Sequence, residues 1–127
     1  MSRPEVDSAL AEFLEAFDNL EWDRFCACFA EHATVYLPFE THPHIVVGKS
    51  EVEAGFAPLF EERRLSEAGP PYLHLEPADT SVSVYSDLAF VTFHLNLPGA
   101  IGRRTIIFCK RDGTWKIVHL HASTMSA

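Results

Sequence analysis

Histidines are the residues of this chain whose type and spacing best suit chemistry. The sequence has seven of them, and imidazole is the side chain that exchanges a proton near neutral pH. His94 lies in an alternating apolar run, with Thr92 and Asn96 two positions away on either side. Alternation places these three polar side chains on one face of a strand. We interpret His94 as the candidate acid or base. The alternative is a core histidine that only makes hydrogen bonds within the protein and has no role in chemistry.

Two histidine pairs have a spacing that metal sites use. His42 and His44 are separated by one residue, as are His119 and His121, so each pair lies on one side of an extended chain. No third ligand is fixed by spacing, although His74 or Glu40 could join the first pair. The sequence therefore predicts no metal and no cofactor, and a metal-dependent enzyme remains an alternative.

The other candidate site residues predict a small-molecule pocket. Arg104 could bind a carboxylate or a carbonyl through its guanidinium group, and Tyr36 could donate its hydroxyl. The structural alternatives are that Arg104 is a surface arginine and that Tyr36 is an aromatic core residue. We predict that the protein binds an apolar small molecule with a carbonyl or carboxylate group, and the sequence leaves open whether it is an enzyme. The remaining predicted ligand-binding residues are Phe90, Thr92, Asn96, Phe108 and Leu120.

Composition narrows the classes of partner. The chain of 127 residues has a formal net charge of −8 and a pI near 5.2. Nucleic acids and anionic lipids recruit Lys and Arg, so neither is an expected partner. The sequence lacks an apolar run long enough for a signal peptide or a bilayer span, and its three cysteines include no Cys-x-x-Cys pair. We expect a cytoplasmic protein with reduced thiols.

The hydrophobic pattern changes its period along the chain. Helical spacing occupies the first half and strict alternation the second, which predicts an α+β fold in one domain, residues 1–127. Three helices are expected to cover one face of an antiparallel sheet. Both rows of most strands carry apolar residues, which predicts a homodimer that pairs through the sheet. The predicted helices span Glu5–Asn19, Trp22–Ala30 and Ser50–Arg64, and the strands span Ala33–Phe39, Tyr72–Tyr85, Leu88–Leu97, Arg103–Arg111 and Thr114–Ser123.

Two segments carry a resemblance to the nuclear transport factor 2-like superfamily. FAEHATVYLP (Phe29 to Pro38) is similar to the helix-to-strand junction of ketosteroid isomerase. RDGTWKIVHLHAS (Arg111 to Ser123) resembles the last hairpin of the calcium/calmodulin-dependent kinase II association domain. The resemblance implies a cystatin-like cone, in which a strongly curved sheet and the three helices enclose a pocket.

Alternation alone does not assign the faces of the strands, but the resemblance does. It implies that Thr92, His94 and Asn96 face the pocket, and that the row of Val91, Phe93, Leu95 and Leu97 faces a dimer partner together with His119 and His121. The implied pocket row continues through Arg104, Ile106, Phe108, Val118, Leu120 and Ala122.

The functional residues of the superfamily are mostly replaced. The positions that resemble the tyrosine, the base and the aspartic acid of ketosteroid isomerase are Phe13, Leu37 and Ile106, none of which is protic. The strands from Leu88 to Arg111 hold no acid for a SnoaL-like cyclase mechanism. Two pocket arginines of the association domain correspond to Ile106 and Ala122. The function hypotheses are thus a dimeric pocket protein related to SnoaL-like isomerases, cyclases or hydrolases, a non-catalytic association module, or the metal enzyme.

Overall fold

The computed structural model describes residues 2–126 and confirms the α+β fold class. Three helices lie on one face of a six-stranded sheet, as the change of period predicts. No helix among residues 2–126 is both long and apolar enough to cross a membrane. The helices are α1 (Ser2–Asp18), α2 (Trp22–Ala27) and α3 (Lys49–Ser66), and the strands are β1 (Phe29–Tyr36), β2 (Val46–Val47), β3 (Pro77–Tyr85), β4 (Leu88–Leu97), β5 (Ala100–Arg111) and β6 (Thr114–Ser126).

The sheet has the order β2-β1-β6-β5-β4-β3. The last four strands form the predicted meander through two-residue turns at Ser86-Asp87, Pro98-Gly99 and Asp112-Gly113. Asp112 and Gly113 have φ angles of 52° and 78°, which match the Asp-Gly preference of a two-residue hairpin turn. One pairing departs from the antiparallel expectation, because β1 runs parallel to β6. This parallel contact closes the helical half of the chain onto the last strand.

Element boundaries differ from the predicted ones where tertiary contacts override local pattern. β1 begins at Phe29, earlier than predicted, because Phe29 pairs with Ile117 of β6. β3 begins at Pro77 and not at Tyr72, because the backbone N–H groups of Tyr72 and Leu73 donate to the Asp18 carbonyl oxygen. Neither contact has a signal in the local sequence.

An aromatic cluster lies among the three helices. Phe25 lies at its centre and is 1% exposed. Its ring centroid is 4.9 Å from those of Phe56 and Phe60 and 5.5 Å from that of Phe13. These distances are within the range of favourable aromatic pairs. The cluster joins all three helices and forms the floor on which a cavity rests.

Candidate functional site

Strand register decides which side chains face the helices. In the β4–β5 pair Phe93 lies opposite Arg104, and His94 lies opposite Arg103. Directly opposed residues share a face, and Phe93 is buried at 7% exposure. Arg104 therefore shares the helix-covered face with Phe93, whereas His94 and Arg103 lie on the outer face.

The predicted face assignment of β4 is thus wrong. Phe90, Thr92, His94 and Asn96 lie on the outer face and do not line the pocket; the first is 45% exposed. Val91, Phe93 and Leu95 of the apolar row, predicted to face a partner, are instead buried beneath the helices. The physical reason is that the helices cover the more apolar row, and the turn at Pro98-Gly99 puts Arg104 on that face, because it sets Leu97 opposite Ala100 and hence Phe93 opposite Arg104.

A β-bulge explains the mixed outcome on β6. Ile107 lies opposite His119 but Phe108 lies opposite Ile117, so Val118 is an extra residue in β6. The bulge shifts the alternation by one position. Ile117 and Leu120 are consequently both buried, and Val118, predicted to face the pocket, is not in the inward row. Leu120 and Ala122 face inward as predicted.

An apolar cavity of about 260 Å³ lies between the helices and the covered sheet face. Its volume is close to the lower end of small-molecule sites. Exposure increases along it, from Phe13 and Phe56 at 3% to Leu97 at 39%, so the cavity opens near the β4–β5 turn. The lining residues are Phe13, Leu14, Phe17, Pro38, Phe39, Phe56, Leu59, Arg63, Leu73, Leu75, Phe93, Leu95, Leu97, Arg104, Leu120, Ala122 and Thr124.

Arg104 is the charged group within the sheet wall of this cavity. Its Nη1 donates to the backbone carbonyl oxygens of Arg103 and Ser123, both at 3.0 Å. Among residues 2–126 it forms no ion pair with a carboxylate. Burial lowers the pKa of the guanidinium from its ordinary value, since the charged form loses water. The group nevertheless stays protonated at physiological pH.

The polar groups of the lining are few. Besides Arg104, the polar lining side chains are those of Arg63 on α3 and Thr124 on β6. The lining contains no carboxylate, imidazole, thiol or phenol. The sequence predicts Arg104 and Leu120 as site residues but not Arg63 and Thr124, because helical and terminal strand positions carry no local sign of facing a cavity.

The wall beside α3 is held by Asp18 at the end of α1. Its carbonyl oxygen accepts from Tyr72 N and Leu73 N at 2.8 and 3.3 Å, and its Oδ1 accepts from Leu75 N at 3.0 Å. Arg64 stacks over the Tyr72 ring, with Cζ 5.3 Å from the centroid. These contacts hold Leu73 and Leu75 against the cavity without any strand pairing.

The remaining predicted site residues lie elsewhere. His94 is within 3.6 Å of Asp79 Oδ2, measured from Nε2, on the open side of the sheet. Tyr36 is also on the outer face, with its ring centroid 5.0 Å from that of His121. Phe108 faces inward but is 1% exposed and lies outside the cavity lining. The predictions that Tyr36 and Phe108 line the pocket are therefore wrong.

The two histidine pairs are in separate environments. His42 and His44 lie in the loop between β1 and β2, whereas His119 and His121 lie on the outer face of β6. His119 Nδ1 is 2.7 Å from Thr34 Oγ1. Desolvation and the neighbouring His121 lower the pKa of His119. Within residues 2–126 no three His, Cys, Asp or Glu side chains are grouped so that they could hold a metal ion.

Residues 6–127 match the family model of the SnoaL-like domain. The chain belongs to the SnoaL-like family. This confirms the superfamily resemblance of the two quoted segments. No curated protein gives a significant sequence match.

Solved structures similar to this SnoaL-like chain share its fold. A putative dehydratase of the NTF2-like family from Streptomyces avermitilis is 22% identical over 98% of this chain and 96% of its own, with a TM-score of 0.81. A putative ketosteroid isomerase from Parabacteroides distasonis is 16% identical over 91% and 84%, with a TM-score of 0.70. The calcium/calmodulin-dependent kinase II hub homology domain of Chlamydomonas reinhardtii is 23% identical over 99% and 100%, with a TM-score of 0.70.

Proposed function

We propose that this SnoaL-like protein binds a small, mostly apolar carboxylic acid in the cavity, with the carboxylate on Arg104. The observation that carries the proposal is a partly buried guanidinium in an apolar cavity without acidic side chains. A buried charge is costly unless it is paired. A ligand carboxylate supplies the missing anion and restores the pKa of Arg104 toward its ordinary value.

A carboxylate fits this site better than a neutral carbonyl. Nη1 of Arg104 already donates to two backbone carbonyl oxygens, which are neutral acceptors. Hydrogen bonds between ionised groups contribute about 1.5–3 kcal/mol, roughly twice as much as neutral ones. The difference, about 1.4 kcal/mol, corresponds to an approximately tenfold preference for an acid over its uncharged amide.

Binding is proposed here without proton-transfer catalysis. A general base has to be titratable and within hydrogen-bond reach of the ligand, and the lining residues offer only guanidinium and hydroxyl groups. Phe13, Leu37 and Ile106, which stand at the positions resembling the isomerase machinery, are all apolar and buried. The cavity thus supports recognition of a ligand more than conversion of it.

Isothermal titration calorimetry with phenylacetate and phenylacetamide tests this function, because the two probes differ in charge but hardly in shape. Wild-type protein should bind the acid about tenfold more tightly than the amide. Arg104→Met should remove that preference while amide binding persists. His94→Ala is the matched control and should change neither affinity. Equal affinity of wild-type protein for both probes would contradict the proposal.

We also propose that the outer sheet face pairs with a second copy of the chain. It exposes large apolar side chains, including Phe90 at 45%, Tyr36 at 37% and Met125 at 50%. The strands β4, β5 and β6 hold no Asp or Glu side chain, so their part of this face lacks the negative charge that makes two copies repel. Association of identical chains is the function of an association module, which is the alternative role.

Light scattering tests this pairing. Wild-type protein should have the mass of a dimer, and Phe90→Asp should have the mass of a folded monomer with an unchanged circular dichroism spectrum. A monomeric wild-type protein would contradict it.

The free thiols of Cys26, Cys28 and Cys109 suit a reducing compartment, which supports a cytoplasmic location.

A further inference from the structure

The Arg104 side chain lies against Gly102. Gly102 and Arg104 are two residues apart on β5, so both face the cavity. A methyl carbon built on Gly102 would lie 3.2 Å from Nη1, 3.3 Å from Nη2 and 3.4 Å from Cζ of Arg104. The guanidinium therefore lies so close over Gly102 that a Cβ at this position would displace it by a few tenths of an ångström.

This arrangement moves the positive charge toward the open end of the cavity. Gly102 pairs with Leu95 on one side and Thr124 on the other, one layer nearer the β4–β5 turn than Arg104, Phe93 and Ala122. Thr124 lines the cavity and is exposed. The layer around Gly102 thus combines a guanidinium and a hydroxyl at the mouth.

The opposite end of the cavity is aromatic. Phe13 and Phe56 are each 3% exposed and line the deeper part. Burial of an apolar group of the ligand at that end contributes most to the binding free energy, because the group is fully removed from water there. A ligand that reversed its orientation would place its charge among the phenylalanines, without a partner.

We propose that Gly102 is a positioning residue, which holds the Arg104 guanidinium in a head-group subsite at the mouth, so that a carboxylic acid binds with its apolar end inward. This inference rests on the proposed function, because it assigns an orientation to the acid bound there. It adds a specificity rule. Acids with the charged group at one end and a ring or short chain at the other should bind, whereas acids with charges at both ends should not.

A double-mutant cycle tests the role of Gly102. Gly102→Ala forces the guanidinium to shift by a few tenths of an ångström and should weaken phenylacetate binding about tenfold, with phenylacetamide affinity nearly unchanged. Lysine at position 104 keeps a cation but lacks Nη1 and Nη2, the two atoms that the new methyl would approach most closely, and its Nζ takes the place of Cζ, which is 3.4 Å away and in ordinary contact. In the Arg104→Lys background, Gly102→Ala should therefore have no further effect on the affinity for either probe.

Controls separate this inference from the proposed function. Thr105→Ala, on the outer face of the same strand, should change neither affinity. If Gly102→Ala retains the wild-type preference for the acid while Arg104→Met loses it, the positioning role is wrong and the proposed function stands. If Gly102→Ala lowers the melting temperature, that loss must disappear in the Arg104→Lys background. A loss that persists there means that the methyl group clashes with something other than the guanidinium, and it overturns the inference.

Discussion

The contact between α3 and β1 allows a prediction whose sign depends on one neighbouring side chain. Gly55 is buried where α3 passes the end of β1, and a methyl carbon added to it would lie 2.8 Å from Cδ1 of Leu37, the residue that follows β1. Gly55→Ala gains about 1 kcal/mol of helix propensity. Overpacking of a core contact costs about 1–3 kcal/mol. The substitution should therefore lower the free energy of unfolding by up to about 2 kcal/mol.

Removing the obstructing atom should reverse the effect. Leu37→Val removes both Cδ atoms and adds a second Cγ, a net loss of one carbon, and should itself cost about 1 kcal/mol. In that background Gly55→Ala keeps its propensity gain without the clash, so it should raise the free energy of unfolding by about 1 kcal/mol. Ala54→Gly, one residue away on the exposed side of α3, calibrates the propensity and should cost about 1 kcal/mol. Urea unfolding of the four variants measures all terms. A Gly55→Ala effect with the same sign and size in both backgrounds would refute the close approach of α3 to β1.

Three further predictions concern the floor, the wall and the outer face. Phe25→Ala should cost about 4 kcal/mol in urea unfolding, and Phe90→Ala less than half as much, because Phe25 is 1% and Phe90 45% exposed; equal costs would argue against the aromatic floor. Asp18→Ala should cost about 1 kcal/mol and weaken phenylacetate binding, whereas Asp18→Asn retains an acceptor for Leu75 N and should cost less. The pKa of His119 is lowered in the folded state, so the unfolded state takes up the proton first as the pH falls. Neutral His119 therefore favours the folded state fully above its ordinary pKa of 6.5, and this contribution to the free energy of unfolding is lost as the pH falls through the folded pKa. His119→Asn should flatten that dependence of the melting temperature between neutral and acidic pH, and an unchanged slope would assign it to other groups.

Much of the fold follows from local pattern. The hairpin turn at Pro98-Gly99 combines a proline, whose φ is fixed by its ring, with a glycine at a φ of 68°, and in the turn at Asp112-Gly113 both residues have positive φ. The amphipathic spacing of Val6, Leu10 and Phe13 places α1 on the sheet, where all three side chains are buried. The segment after α3 could not be derived in this way, because its conformation depends on Asp18, more than fifty positions earlier.

The candidate site was only partly predictable, and the missing step was register. A two-residue turn at Pro98-Gly99 sets Leu97 opposite Ala100, which requires Phe93 opposite Arg104. The length of this turn can be predicted from the sequence, and by itself it excludes that His94 and Arg104 lie on the same face of the sheet. The bulge at Val118 had no such signal, since it depends on how β6 meets both β5 and β1. The position of Arg104 over Gly102 likewise requires coordinates, because sequence spacing does not give the conformation of a long side chain.

A crystal structure with bromophenylacetate tests the central claim most directly, because anomalous scattering locates the bromine independently of the protein. We expect the carboxylate within hydrogen-bond distance of the Arg104 guanidinium and the bromine at the aromatic end, near Phe13 and Phe56. A ligand on the outer face beside His94, or one in the cavity with its carboxylate away from Arg104, would contradict it.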